Sequence, residues 1–260
     1  AQPPPAHNNK DMYINSNSFF SNLPPVVKNL LIINTLVWLV MALMPAADRW
    51  FDAHLALYYF SSPAFQPYQL FTYLHGGFMH LFFNMFALLM FGRTIEMTMG
   101  SARFLFYYIT CGICAALVQM GVFAVYIHNI SSMLPADIVN RVITEGHALL
   151  SQGYNFSDPD LGQLNAFVNT PMVGASGAIY GVLLAFGFLF PNVPVYIFFI
   201  PVPVKAKWLI IGYFVIELLY GISGSADGVA HFAHLGGMIF GFLLLVYWKR
   251  KGVFNNHWFF

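Results

Sequence analysis

The chain has 260 residues, of which 58% are hydrophobic and 8% charged, against about 25% charged in an average soluble domain. Eleven Lys/Arg and ten Asp/Glu leave a formal charge of +1, so there is no basic footprint for nucleic acid and no polyelectrolyte tail. With a mean hydropathy of +0.65, the composition excludes a soluble globular domain and calls for an integral membrane protein.

Residues 1–25, with Pro3-Pro4-Pro5 and an Asn/Ser-rich run, read as a flexible tail. The chain opens on Ala1 rather than a methionine, which points to a processed, trimmed or incomplete start, and nothing apolar of useful length precedes residue 26, so no signal peptide is expected. A membrane span needs about 20 mostly apolar residues. Six segments qualify, at about 26–44, 75–95, 104–127, 172–190, 205–221 and 229–248, with residues 249–260 left as a second tail. The expected architecture is therefore an all-α bundle of six transmembrane helices.

Between the first two spans the loop carries Arg49-Trp50. Span two opens His75-Gly76-Gly77-Phe78-Met79-His80 and continues to Asn84; His80 and Asn84, four apart, share one helical face. Towards the inner end of this span Glu96 sits beside Arg93 and reads as its structural ion partner. Span three holds both cysteines as Cys111-Gly112-Ile113-Cys114. That spacing suits a redox pair or half a zinc site, but the run Phe104 to Ala136 contains no charge to stabilise a thiolate or metal. Small helix-packing side chains are the expectation.

A long connection follows, about 128–171, whose segment Ala136 to Leu150 spaces Ile138, Val139, Val142, Ile143 and Leu149 as an amphipathic helix does. It reads as an interfacial helix resting on the membrane, with a partner or substrate contact as the alternative. Span four opens Gly174-Ala175-Ser176-Gly177, with Tyr180 one turn below the hydroxyl. Next, Pro191 to Val204 contains four prolines and reads as a connecting loop partly buried in the interface. Glu217 interrupts span five. A carboxylate there needs hydrogen-bond partners inside the bundle, since an Asp at mid-bilayer costs about 2.5–3.5 kcal/mol on insertion scales. Span six carries His231, His234 and the pair Gly237 and Gly241. His75 and His231 read as structural or water-ordering; His7, His54, His128, His147 and His257 are assigned to loops or tails.

Lys and Arg orient the bundle. With six spans both termini share a side, and Lys10, Lys28, Arg93, Arg103, Lys205, Lys207, Lys249, Arg250 and Lys251 fall there, against Arg49 and Arg141 on the other. Both termini are thus expected to be cytoplasmic, and the compact six-span layout points to a bacterial inner membrane. Spans two, four and six then run inward from the outer face, so their polar residues lie at a common depth.

Taken singly, the glycine motifs are small-residue packing seams. An intramembrane histidine is a functional hypothesis by default, and the shared depth argues for one constellation. Its chemistry is acyl transfer. A serine hydroxyl needs a neighbouring base to become a nucleophile, and neutral imidazole supplies one; Ser176 and His234 fit these roles. Asn84, His80 and the Ser176 backbone N–H near a helix N-terminus supply donors for an oxyanion. Glycines let spans four and six approach within hydrogen-bonding reach.

These residues resemble the rhomboid family of intramembrane serine proteases over roughly residues 26–248. The resemblance rests on Gly174-x-Ser176-Gly177, on His80-xxx-Asn84, and on Ala233-His234-Leu235-Gly236-Gly237 followed by Gly241. It implies a six-helix rhomboid-like membrane domain and a Ser176–His234 dyad without a third, acidic member. It further implies an oxyanion hole of His80, Asn84 and the Ser176 amide, Tyr180 packed on the His234 ring, and movement of span five and the loop around Asp227 to admit a substrate helix. No cofactor or metal is implied, and the partners would be transmembrane protein substrates and the bilayer. Many members carry Trp-Arg in the first outer loop; here the order is Arg49-Trp50, early in the loop.

Two other functions compete. A rhomboid-like protein that binds transmembrane helices without cutting them would lack the nucleophile or base, and both are present. A metal-dependent membrane enzyme would use His75, His80, His231 and His234, but such sites need more ligands, and no His-Glu-x-x-His helix occurs.

Overall fold

The computed structural model describes residues 22–72, 75–196, 202–223 and 229–254. The tail over residues 1–21, the end of the chain from 255 and the loop around Asp227 lie outside them. The chain forms α1 (Pro25–Leu43), α2 (Pro45–Leu55), α3 (Phe78–Ala87), a π-helical turn (Leu88–Gly92) and α4 (Arg93–Met99). It continues as α5 (Ser101–Ser131), α6 (Ala136–Ser151), α7 (Pro159–Asn169) and α8 (Ser176–Leu189). A two-residue antiparallel pair of β1 (Pro194–Val195) and β2 (Val204–Lys205) then precedes α9 (Ala206–Ser223) and α10 (His231–Arg250).

Among the described residues five helices are long and apolar enough to cross a membrane: α1, the continuous stretch Phe78–Met99, α5, α9 and α10. The sixth, α8, begins at Ser176 rather than near residue 172, and its 14 residues reach only about 21 Å. A short span is tolerable here because α8 is the centre of the bundle. Val182, Ala185 and Leu189 are fully buried, and non-helical backbone at membrane depth survives only where protein or a water-filled cavity surrounds it. Around it the outer helices turn apolar residues outward, such as Leu36 and Leu43 of α1 and Val215 and Leu219 of α9, as lipid contact requires.

Turns between spans are set locally. Gly100, at φ +83°, joins α4 to α5, a left-handed conformation that favours glycine. Glu96, buried to 1% exposure, is not the ion partner of Arg93. Its two oxygens accept the backbone N–H groups of Val26 and Val27 at 2.9 and 2.7 Å, and the Ser101 hydroxyl at 2.7 Å. Pro24 and Pro25 open α1 without a capping side chain, so the free donors of its first turn take a carboxylate from 69 residues away.

The segment about 128–171 is mostly helical. The expected helix appears as α6, but α5 runs on to Ser131 and a second helix, α7, follows, capped by Asp158, whose side chain accepts from the N–H groups of Asp160 and Leu161. Val142, Leu164 and Val168 form a small core with Leu57 and Tyr59 of the first connection. Asn169 donates to the Asn165 side chain, which in turn donates to the Gly146 carbonyl. The apolar side of α6 is thus packed on protein. His54, His128 and His147, assigned above to loops, lie on α2, α5 and α6. The first connection also pins the chain ahead of α8: Leu57 and Met172 exchange backbone hydrogen bonds at 3.2 and 2.7 Å.

Candidate active site

Ser176 is the first residue of α8. Ahead of it Gly174 adopts φ +122°, and a β-carbon there would lie 2.6 Å from His80 Cε1 and 2.8 Å from its Nε2. Backbone conformation and the imidazole face therefore both demand glycine. As the start of a helix, Ser176, Gly177 and Ala178 have backbone N–H groups without intrahelical partners.

His234 comes from the first turn of α10. Its Nε2 is 2.8 Å from Ser176 Oγ, a contact between residues 58 apart in sequence that exists because α8 and α10 nearly touch. A β-carbon at Gly237 would fall on the Gly177 carbonyl oxygen, and one at Gly177 would fall on the Ala115 side chain of α5. Gly241 serves a different contact from the one expected: a β-carbon there would meet the Tyr107 hydroxyl and Cys111 of α5, not α8. The Tyr107 hydroxyl donates to the Gly181 carbonyl at 2.8 Å, so α5, α8 and α10 close on a single seam. Cys111 is buried in it; both cysteines are free.

Tyr180 lies parallel to the His234 ring, centroids 4.1 Å apart at 10°, which fixes the plane of the imidazole. Its hydroxyl donates to Glu217 Oε1 of α9. The other oxygen of that carboxylate is 2.7 Å from His231 Nδ1 and 3.0 Å from His234 Nδ1. The resemblance implies a dyad without a third, acidic member; Glu217 stands beside that pair, hydrogen-bonded inside the bundle as a carboxylate at that depth requires. Among the described residues, Glu217, His231 and His234 are the cluster with metal-ligand spacing, whereas His75 faces the His80 ring at 5.3 Å. The four histidines weighed together above do not converge.

Asn84 is buried and its Nδ2 donates to the His80 carbonyl at 2.7 Å, leaving one N–H of the amide for other use. Gln119 of α5 was not singled out from the sequence. Its Oε1 accepts the Ala233 N–H at 3.1 Å and so caps the turn of α10 that carries His234. Ser176, His234, His80, Asn84 and Gln119 line one open cavity of about 1560 Å³, floored by α8 and walled by α3 and α9. A nucleophile, a base and a ring of donors at the end of an apolar trough can perform acyl transfer on an extended chain lying in it.

A family model described as Rhomboid domain matches residues 64–251. The chain is also similar to the protein named Rhomboid protein 1, mitochondrial, of Saccharomyces cerevisiae, 29% identical over 175 residues, which are 66% of this chain. The chain spans 38% of the length of that relative.

Proposed function

From the chain's membership of the rhomboid family, whose members are generally intramembrane serine proteases, we propose that it is a serine-type endopeptidase that hydrolyses peptide bonds in or beside transmembrane helices of other membrane proteins. The observation that carries this reading is the 2.8 Å contact between Ser176 Oγ and His234 Nε2 at the floor of the cavity. In this mechanism His234 Nε2 takes the hydroxyl proton as Ser176 Oγ attacks the scissile carbonyl. The proton then passes to the leaving amine, and water releases the acyl group by the same steps in reverse.

The oxyanion of the tetrahedral intermediate would be held by the Ser176 backbone N–H, unpaired at the start of α8, with His80 and the remaining N–H of Asn84. Gly174 and Gly177, Tyr180 and the glycines of α10 support it: the first two through backbone conformation and close approach, Tyr180 by stacking, Gly237 and Gly241 by admitting the neighbouring helices. The substrate must offer a locally unwound stretch, since a regular helix buries its carbonyls in its own hydrogen bonds.

In our reading the active centre faces the outer side of a bacterial inner membrane and both termini are cytoplasmic. The membrane domain takes in residues 26–248, with residues 1–25 and 249–260 on the cytoplasmic side. Lys28, Arg93 and Arg103 support this orientation, since Glu96 binds the first turn of α1 and so places the starts of α1, α4 and α5 at one end. Reporter fusions at the C-terminus test it: an exported terminus sinks the topology. For the activity, a fluorophosphonate probe and a transmembrane reporter are applied to wild type, Ser176→Ala and His234→Ala. Labelling and cleavage are expected in wild type alone; unchanged cleavage in either variant refutes the assignment.

A further inference from the structure

Four residues of α9 are buried, Ala206, Ile210, Glu217 and Gly221, and they lie along one stripe of the helix. Three have small or apolar side chains. The fourth is a carboxylate, directed at Tyr180 of α8 and at both histidines of the first turn of α10. An ionised carboxylate only accepts hydrogen bonds, so His231 Nδ1 at 2.7 Å donates to it, and His234 Nδ1 at 3.0 Å is placed to meet the same oxygen. A proton on His234 Nδ1 would leave a lone pair on Nε2, the atom 2.8 Å from Ser176 Oγ.

We propose that Glu217 is a positioning residue for the reaction: it selects the His234 tautomer that can accept the serine proton, and it stabilises the imidazolium formed when it does. This rests on the protease reading above and deepens it, turning a pair of residues into a set of three in which the acid arrives on a different helix from nucleophile and base. Glu217 works through a network. Tyr180 occupies Oε1 and also stacks on the His234 ring, so one tyrosine ties the orientation of the base to that of the acid. His231 shares Oε2 and is itself stacked on Tyr220 of α9.

In the resting molecule His234 Nδ1 lies close to Oε2 but off the line of a straight hydrogen bond. Such contacts often align only once substrate is bound. Because the carboxylate rides on α9, the placement of that helix sets whether the base is oriented.

The test uses full-length protein in detergent and in proteoliposomes, with Glu217→Gln, which keeps size and polarity but removes the charge, and Glu217→Asp. Glu217→Gln is expected to lower kcat on the order of 10²-fold, less than the roughly 10⁴-fold drop on neutralising the acid of a Ser-His-Asp triad, because the contact is off-line and shared. KM should stay within about two-fold, fluorophosphonate labelling of Ser176 should slow in step, and Glu217→Asp should recover part of both. In ¹⁵N-histidine spectra of wild type, His234 should be protonated at Nδ1, and mixed in the Gln variant.

Equal kcat and labelling in Glu217→Gln would overturn the proposal. So would a loss that follows a fall in Tm and is not recovered by Asp, and so would an Nε2-protonated His234 in wild type. Activity abolished by a chelator and restored by zinc would also overturn it, in favour of a metal at the same three residues. Wild type that neither labels at Ser176 nor cleaves the reporter would instead sink the protease reading, and the His234 tautomer would still decide the role of Glu217.

Discussion

Where α8 meets α10, a β-carbon at Gly237 would land on the Gly177 carbonyl oxygen; on α9, a β-carbon at Gly212 would meet nothing within 4 Å. Half of the α10 span is buried inside the protein, against 22% of α9. The two contacts serve different ends. Ser176 and His234 are joined through backbone in near contact, which leaves no slack in their separation. Glu217 reaches them through side chains, from a helix held along one stripe. The Ser–His distance is built into the seam, whereas the acid is held by side-chain contacts of the helix that walls the cavity.

The seam is the place to look for the largest effect. Gly237→Ala must force α8 and α10 apart, at an overpacking cost of about 1–3 kcal/mol. A displacement of about 1 Å at the reacting atoms can cost 10²-fold in rate, so cleavage of a transmembrane reporter should fall by at least that much, with a lowered Tm in detergent. Wild-type rates in this variant would show that the seam is not what sets the Ser–His distance. Next in size is a contrast between the two buried carboxylates. Glu96→Ala leaves the buried Val27 N–H and the part-buried Val26 N–H at the start of α1 unpaired, expected to cost about 1–3 kcal/mol in stability with kcat per folded molecule unchanged. Glu217→Gln should do the reverse. If both variants lose stability and neither loses kcat selectively, the division between structural and positioning acid fails. Smaller again is Asn169→Ala, which removes the acceptor of the Ser62 hydroxyl and the donor to Val142. About 0.5–1.5 kcal/mol should be lost, as faster proteolysis across α6 and α7, while the rate of Ser176 labelling holds.

Ser176, His234, His80 and Asn84 were legible in the sequence because polar side chains are conspicuous in a chain with so few charges, and because the motifs sit near the starts of their spans. The six spans were legible for the same reason. Contacts that depend on how a helix is rotated were not. Gly237 and Gly241 look equivalent at four-residue spacing, yet one meets α8 and the other α5. Proximity in sequence misled for Glu96, whose neighbour Arg93 is not its partner. The need of Glu217 for partners was readable from its depth, but Tyr180 and His231 lie 37 and 14 residues away on other helices. Helix α7 had a readable start in Asp158-Pro159, with the cap and the proline at the first helical position, but its 11 residues carry too weak an apolar pattern to stand out from the loop.

The mildest substitution bears most directly on α9. Gly212→Ala adds a methyl group into open space on a half-buried position and removes the entropic cost of a glycine inside a helix, about 0.5–1 kcal/mol. For a domain of this size that corresponds to a rise in Tm of about 1–4 °C, and nothing in the packing opposes it. If α9 serves as a rigid arm that brings Glu217 to the imidazole, kcat should be unchanged in the stabilised variant. A rise in Tm together with a fall in kcat, and with KM for the transmembrane reporter moving alongside it, would show that α9 must bend at Gly212 during turnover, and the helix would then be a hinge and not a rigid arm.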